Sequence, residues 1–101
     1  MKHTHVTYIA KPERAEENAG LIRAVFEELR LKSPDGLKYM VLRRGDGRFI
    51  HFVEQRDGAP RLADFEAFRA FQKHARDRIQ GGPEVNEVQV VGVFGFKLDT
   101  A

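Results

Sequence analysis

Cysteine is absent from this chain, and so is tryptophan. The first absence excludes disulfides, thiol nucleophiles, cysteine-held zinc and iron–sulfur clusters together, and it suits a reducing compartment. Long apolar runs are also missing. No stretch approaches the ~20 apolar residues that a membrane-spanning helix needs, and Met1-Lys2-His3-Thr4-His5 lacks the apolar centre of a secretory signal. A cytoplasmic protein with no membrane partner is therefore expected. Neither sign of charge dominates: 17 lysines and arginines face 15 acids, for a net charge of +2. The charges are mixed along the chain, with no basic run of the kind that binds nucleic acid, so no nucleic-acid partner is expected. No nucleophile–base pair and no paired carboxylates stand out, which argues against hydrolase and glycosidase chemistry.

What is present suits one globular domain spanning residues 1–101. Hydrophobic residues make up 42% and charged residues 32% of the 101, a folded rather than a disordered balance. A domain this small buries only a modest share of its surface, so self-association would help it.

Val6, Thr7, Tyr8 and Ile9 mark a first strand over His3–Ala10, ended by Lys11-Pro12. Ala15, Ala19, Ile22, Val25, Phe26 and Leu29 recur at helical spacing and predict a helix over Glu13–Leu31. Acidic Glu13, Glu16 and Glu17 sit at its start, and basic Arg30 and Lys32 at its end, as the helix dipole favours. Ser33-Pro34-Asp35-Gly36 turns the chain. Strands over Leu37–Arg43 and Arg48–Glu54 flank Arg44-Gly45-Asp46-Gly47, a hairpin signal. Phe65, Phe68, Phe71, Gln72, Ala75 and Ile79 predict a second helix, from Leu62 or Phe65 to Ile79, with Asp64 as its cap. Gly81-Gly82-Pro83 is then read as the break before a long last strand, Val85–Phe96.

The order β-α-β-β-α-β predicts an α+β, ferredoxin-like domain: a four-stranded antiparallel sheet with both helices on one face. The other face is also apolar. The last strand carries Val88, Val90, Phe94 and Phe96 on one side and Val91 and Val93 on the other. Such a face is not normally left in water. Either a second copy covers it, giving a homodimer through the sheet face, or aromatic residues on it stack with a ligand, as in RNA-recognition motifs. Gly47-Arg48-Phe49-Ile50-His51-Phe52-Val53 is faintly like the third-strand motif of those domains, but its internal glycine–aromatic pattern is missing. The aliphatic character of the last strand favours a protein interface.

Four motifs carry a family resemblance that covers nearly the whole chain. They are Lys11-Pro12-Glu13-Arg14-Ala15-Glu16-Glu17-Asn18 after the first strand, Pro34-Asp35-Gly36-Leu37 before the second, Phe68-Arg69-Ala70-Phe71-Gln72 in the second helix, and Val91-Gly92 through Gly95-Phe96 at the end. The sequence resembles the dimeric α+β barrel superfamily, in the branch of antibiotic-biosynthesis-monooxygenase-like proteins, whose similar small bacterial members have no assigned function. The resemblance implies a homodimer and a pocket between helices and sheet for a small apolar or aromatic ligand. It also implies, among enzymatic members, oxygenation without cofactor or haem degradation. The chain departs from the haem-degrading pattern: tryptophan is absent, the first strand has no asparagine, and His74, the nearest counterpart of the helix histidine, falls off the apolar stripe.

Single residues then come into question. Asn18 falls on the apolar stripe of the first helix, as a ligand hydrogen-bonder or as a partner of loop backbone; Gln72 is placed likewise on the second. His51, between Ile50 and Phe52, reads as a catalytic base or as a satisfied core histidine. Tyr39, Tyr8 and Phe68 would orient or pack against a ligand, or simply pack. His3 and His5 share a strand face without a third metal ligand, and Arg44-Gly45-Asp46 is read as a turn rather than an adhesion motif. The expectation is a cofactor-free monooxygenase acting on an aromatic or apolar small molecule, with a non-catalytic ligand-binding or assembly module as the alternative.

Overall fold

The computed structural model describes residues 1–97. Along the chain run β1 (Lys2–Ala10), a 3-10 turn (Pro12–Arg14), α1 (Ala15–Lys32), β2 (Leu37–Arg43), β3 (Arg48–Gln55), a second 3-10 turn (Leu62–Asp64), α2 (Glu66–Gln72), α3 (Ala75–Arg78) and β4 (Ile79–Glu87). The strands form one sheet in the order β2-β3-β1-β4, with every neighbour antiparallel. This is the expected ferredoxin-like α+β arrangement.

The register explains the core. Tyr8 pairs with Phe49 and Val6 with His51, and Val41 pairs with His51 on its other side. Residues directly opposite share a face, so these side chains line up under the helices. There they meet Ala15, Ala19, Ile22 and Val25 from α1 and Phe71 from α2. The opposite face carries His3, His5, Met40, Leu42, Ile50 and Phe52, none of them fully buried. The β2–β3 hairpin turns at Gly47, whose φ of +89° a side chain would strain. Arg44-Gly45-Asp46 is that turn, with the Arg44 guanidinium paired to the Asp46 carboxylate.

Two elements differ from expectation. The second helix is broken: α2 stops at Gln72, Lys73 is extended, and His74 takes a left-handed φ of +63° before the single turn of α3. No glycine or proline marks this break. Its cause is tertiary, because the buried Arg78 side chain donates back to the Phe71 and Lys73 carbonyls left free at the end of α2. Asp64 is not the cap of α2 either. Its carboxylate accepts from the Arg61 amide at 2.9 Å, while the first-turn amide of Ala67 donates to Glu28 of α1 at 2.8 Å.

The last strand begins earlier and ends earlier than Val85–Phe96. Ile79 already pairs with Ala10, and the ladder continues from Glu84 opposite Thr7 to Glu87 opposite Thr4. Gly81, Gly82 and Pro83 therefore lie inside β4, where the register shifts by a bulge. An edge strand tolerates proline at such a place. After the Val88 amide has reached the His3 carbonyl, residues 89–97 leave the sheet as an arm. Val91 is fully exposed and Phe94 is 97% exposed, with Val93 and Phe96 also largely open.

Candidate functional site

One chain of buried polar side chains runs beneath the helices. Arg78, at the turn between α3 and β4, is 2% exposed, and Asn18 of α1 is fully buried. The Arg78 Nε–H donates to Asn18 Oδ1 at 3.1 Å, and Asn18 Nδ2 donates to the Tyr8 hydroxyl at 2.9 Å. The Tyr8 hydroxyl lies 2.8 Å from His51 Nε2, and Tyr39 Oη lies 2.6 Å from His51 Nδ1. Five elements contribute one residue each: α1, β1, β2, β3 and α3. Burial of polar groups requires such pairing, and among the described residues no buried side-chain nitrogen or oxygen is left without a partner.

Burial sets the electrostatics. It pulls His51 down from 6.5 to about 4, so the imidazole is neutral at ordinary pH. It pushes Tyr8 up to about 12, against the lowering by its Asn18 hydrogen bond and the Arg78 charge. Tyr39 is raised further by burial, with the neighbouring Tyr8 adding to it. Arg78 is lowered by the same cause, yet guanidinium stays charged in proteins. It faces carbonyl oxygens rather than a carboxylate, and its charge lies over the Phe71 ring, 5.4 Å from the centroid.

Tyr39 is the member of this chain that borders open space. A cleft of about 1670 Å³ is bounded on its inner side by Ala19, Ile22, Phe26, Tyr39, Val41 and Phe49 together with the charged Arg23, Glu27, Arg30, Lys38, Arg43 and Glu54, and on its outer side by the arm. Phe26 stacks on the Tyr39 ring at 4.9 Å and Phe68 meets it edge-on at 6.3 Å. The inner wall thus sets an aliphatic and aromatic group with one hydroxyl-bearing residue among charged side chains of α1, β2 and β3, and small-ligand sites likewise combine apolar walls with a few polar groups.

The predicted residues divide accordingly. Tyr39 lines the cleft, and Phe68 packs behind it. His51 and Asn18 are drawn together through Tyr8, but both nitrogens of His51 and both ends of the Asn18 amide are spent inside the protein. Gln72 is exposed and apart from the group, because α2 ends there. His74 is exposed on the helix break. His3 lies on the other sheet face, 3.0 Å from Glu54 and stacked on Phe52. No group of three metal-ligating side chains occurs among the described residues. Arg78 was not foreseen. A faint signal existed, since it follows Phe71 by seven residues and so shares its face on a continuous helix.

Fold and site together define a ferredoxin-like α+β domain with a hydrogen-bonded polar chain ending at an open cleft. No family model matches the chain, and no curated protein matches it. Solved structures do share the fold. A protein of unknown function from Nitrosomonas europaea is 19% identical, with 99% of this chain and 95% of that one covered at a TM-score of 0.70. A Mycobacterium tuberculosis protein is 12% identical, covering 91% and 96% at 0.72. A structure described as an antibiotic biosynthesis monooxygenase is 19% identical, covering 91% and 100% at 0.61. At these identities the likeness is one of fold, and that fold is the one of antibiotic-biosynthesis-monooxygenase-like proteins. Among the described residues no helix is long and apolar enough to cross a membrane.

Proposed function

We propose that the protein is a homodimer that binds a small, largely apolar aromatic molecule against the inner wall of the cleft and oxygenates it without a cofactor. The observation that carries this reading is Tyr39. It is the one hydroxyl-bearing residue of the cleft lining, it sits among Phe26, Val41 and Phe49, and its hydroxyl is held by a neutral histidine. A donor at that place stabilises the phenolate form of an electron-rich phenol, which is the form that gives electrons to O2. The balance needs no further reactant. In a naphthalenediol, the ring C–H para to one hydroxyl becomes C=O, one oxygen atom of O2 enters the product, and the other leaves as water with the two hydrogens lost. The substrate supplies all the electrons.

The dimer is supported by size and exposure. The cleft exceeds the roughly 300–1,000 Å³ of a small-molecule pocket, and its outer wall is an arm whose Val91 and Phe94 face water. A second copy filling the outer part would cover the arm and leave the inner part ligand-sized. A second reading, a non-catalytic binding module, is favoured by His51, whose two nitrogens are engaged and whose low pKa makes it a weak proton acceptor.

The test is oxygen uptake and quinone formation with a naphthalenediol in air, with binding followed in parallel by fluorescence under nitrogen. Turnover that falls at least tenfold in Tyr39→Phe supports oxygenation. Saturable binding without turnover by the wild type selects the binding module. Absence of both refutes the site.

A further inference from the structure

The buried chain has a direction, and the direction follows from counting hydrogens. Arg78 can only donate. Asn18 must therefore turn Oδ1 toward it and Nδ2 toward Tyr8. The Tyr8 oxygen accepts from Asn18, so its own hydrogen needs an acceptor, and His51 Nε2 at 2.8 Å is its partner. With Nε2 accepting, the proton of the neutral imidazole sits on Nδ1 and is donated to the Tyr39 oxygen. The opposite tautomer leaves the buried Tyr8 hydrogen without an acceptor, the costlier arrangement. At the far end, the Tyr39 hydroxyl has accepted from His51 and has spent no hydrogen within the chain. Tyr39 is also where the chain meets the cleft.

We propose that Arg78, Asn18, Tyr8 and His51 form a one-way hydrogen-bond relay that fixes the Nδ1–H tautomer of His51 and presents the Tyr39 hydroxyl hydrogen to an acceptor oxygen of the ligand. Arg78 and Asn18 are positioning residues in this arrangement, acting on the ligand only through the order they impose. The consequence is selectivity. Carbonyl and phenolate oxygens are favoured at this point of the cleft over a bare hydrocarbon edge. The ligand half of the proposal rests on the binding site described above; the relay itself does not.

The relay can be reversed by an almost isosteric change. In Asn18→Asp the carboxylate accepts from both Arg78 and the Tyr8 hydroxyl. Tyr8 then accepts from His51 Nε2–H, His51 Nδ1 accepts from Tyr39, and the Tyr39 hydrogen is turned inward. Long-range nitrogen–hydrogen correlation spectra of the imidazole read the tautomer directly, with His51 assigned by comparison with His51→Gln. The expected result is Nδ1–H in the wild type and Nε2–H in Asn18→Asp. α-Tetralone and tetralin, which share a skeleton and differ by the ketone oxygen, read the other end. The wild type should bind the ketone about tenfold more tightly, the worth of one hydrogen bond, and both Tyr39→Phe and Asn18→Asp should lose that preference. An Nε2–H wild type overturns the relay whatever binds, and so does an unchanged tautomer in a folded Asn18→Asp protein. Should that variant fail to fold, the wild-type tautomer and Tyr39→Phe still decide. Expected tautomers with equal binding of the two probes overturn the presentation of Tyr39. Expected tautomers with neither probe bound overturn the ligand half through failure of the site.

Discussion

Replacing Phe94 by serine separates a free arm from a docked one. In a single chain the side chain is 97% exposed, so its removal leaves the folding of the domain unchanged. If the arm packs on a second copy, the ring is buried twice over by symmetry. Burying one large apolar side chain is worth about 1.5–3 kcal/mol, so the dimer loses about 3–6 kcal/mol. At about 1.4 kcal/mol per decade, the dimer dissociation constant rises roughly a hundred- to ten-thousand-fold. Sedimentation equilibrium over a range of concentrations measures this constant. Thermal melting adds a second reading, because an associating protein melts at a temperature that rises with concentration, and the serine variant should lose that rise. A wild type sedimenting at 11.6 kDa, or a Phe94→Ser dissociation constant equal to that of the wild type, refutes the reasoning.

Three further outcomes follow from the interior. His51 is held near 4 in the folded protein against 6.5 when free, so the unfolded chain binds its proton first as pH falls. The stability is complete above pH 6.5 and declines as pH drops to 4, by on the order of 3 kcal/mol; denaturant titrations should show this slope flattened in His51→Gln. Gly47→Ala places a side chain at a φ of +89° and should cost about 1–2 kcal/mol in the same titrations, with no effect on the His51 tautomer. Glu28→Ala removes the acceptor for the Ala67 amide and the partner of Lys32, whereas Glu28→Gln keeps an acceptor oxygen; melting temperatures should order wild type, Gln and then Ala from highest to lowest.

The periodicities of the chain were enough to place α1, β1 and the β2–β3 hairpin, because each is set by contacts among near neighbours: the Ala15–Ala19–Ile22–Val25 stripe, the Lys11-Pro12 stop and the turn closed at Gly47. They misplaced the end of the second helix and the start of the last strand for one shared reason. Residues 73–83 obey partners distant in sequence. Arg78 takes the carbonyls of α2 and joins Asn18 sixty residues away, while Ile79 is claimed by the β1 ladder at Ala10. Local propensity cannot see either contact. Glycines 81 and 82, read as a helix stop, instead accommodate a bulge.

The candidate site was legible in the same partial way. Asn18 on an apolar stripe and His51 in an apolar strand were conspicuous because a buried polar group must have a partner. The sequence determined that such partners exist, that the order is β-α-β-β-α-β, and that residues 88–96 carry apolar side chains at alternate and adjacent positions alike. Only the tertiary structure decided that the partners of Asn18 and His51 are Tyr8, Tyr39 and Arg78 rather than a ligand, that Gln72 stands outside, and that Tyr39 is the point of contact with the cleft. The physical reason is that hydrogen-bond satisfaction is a property of atoms in space. A sequence fixes how many donors and acceptors must be matched, and the fold chooses which meet and which one is left over for something else.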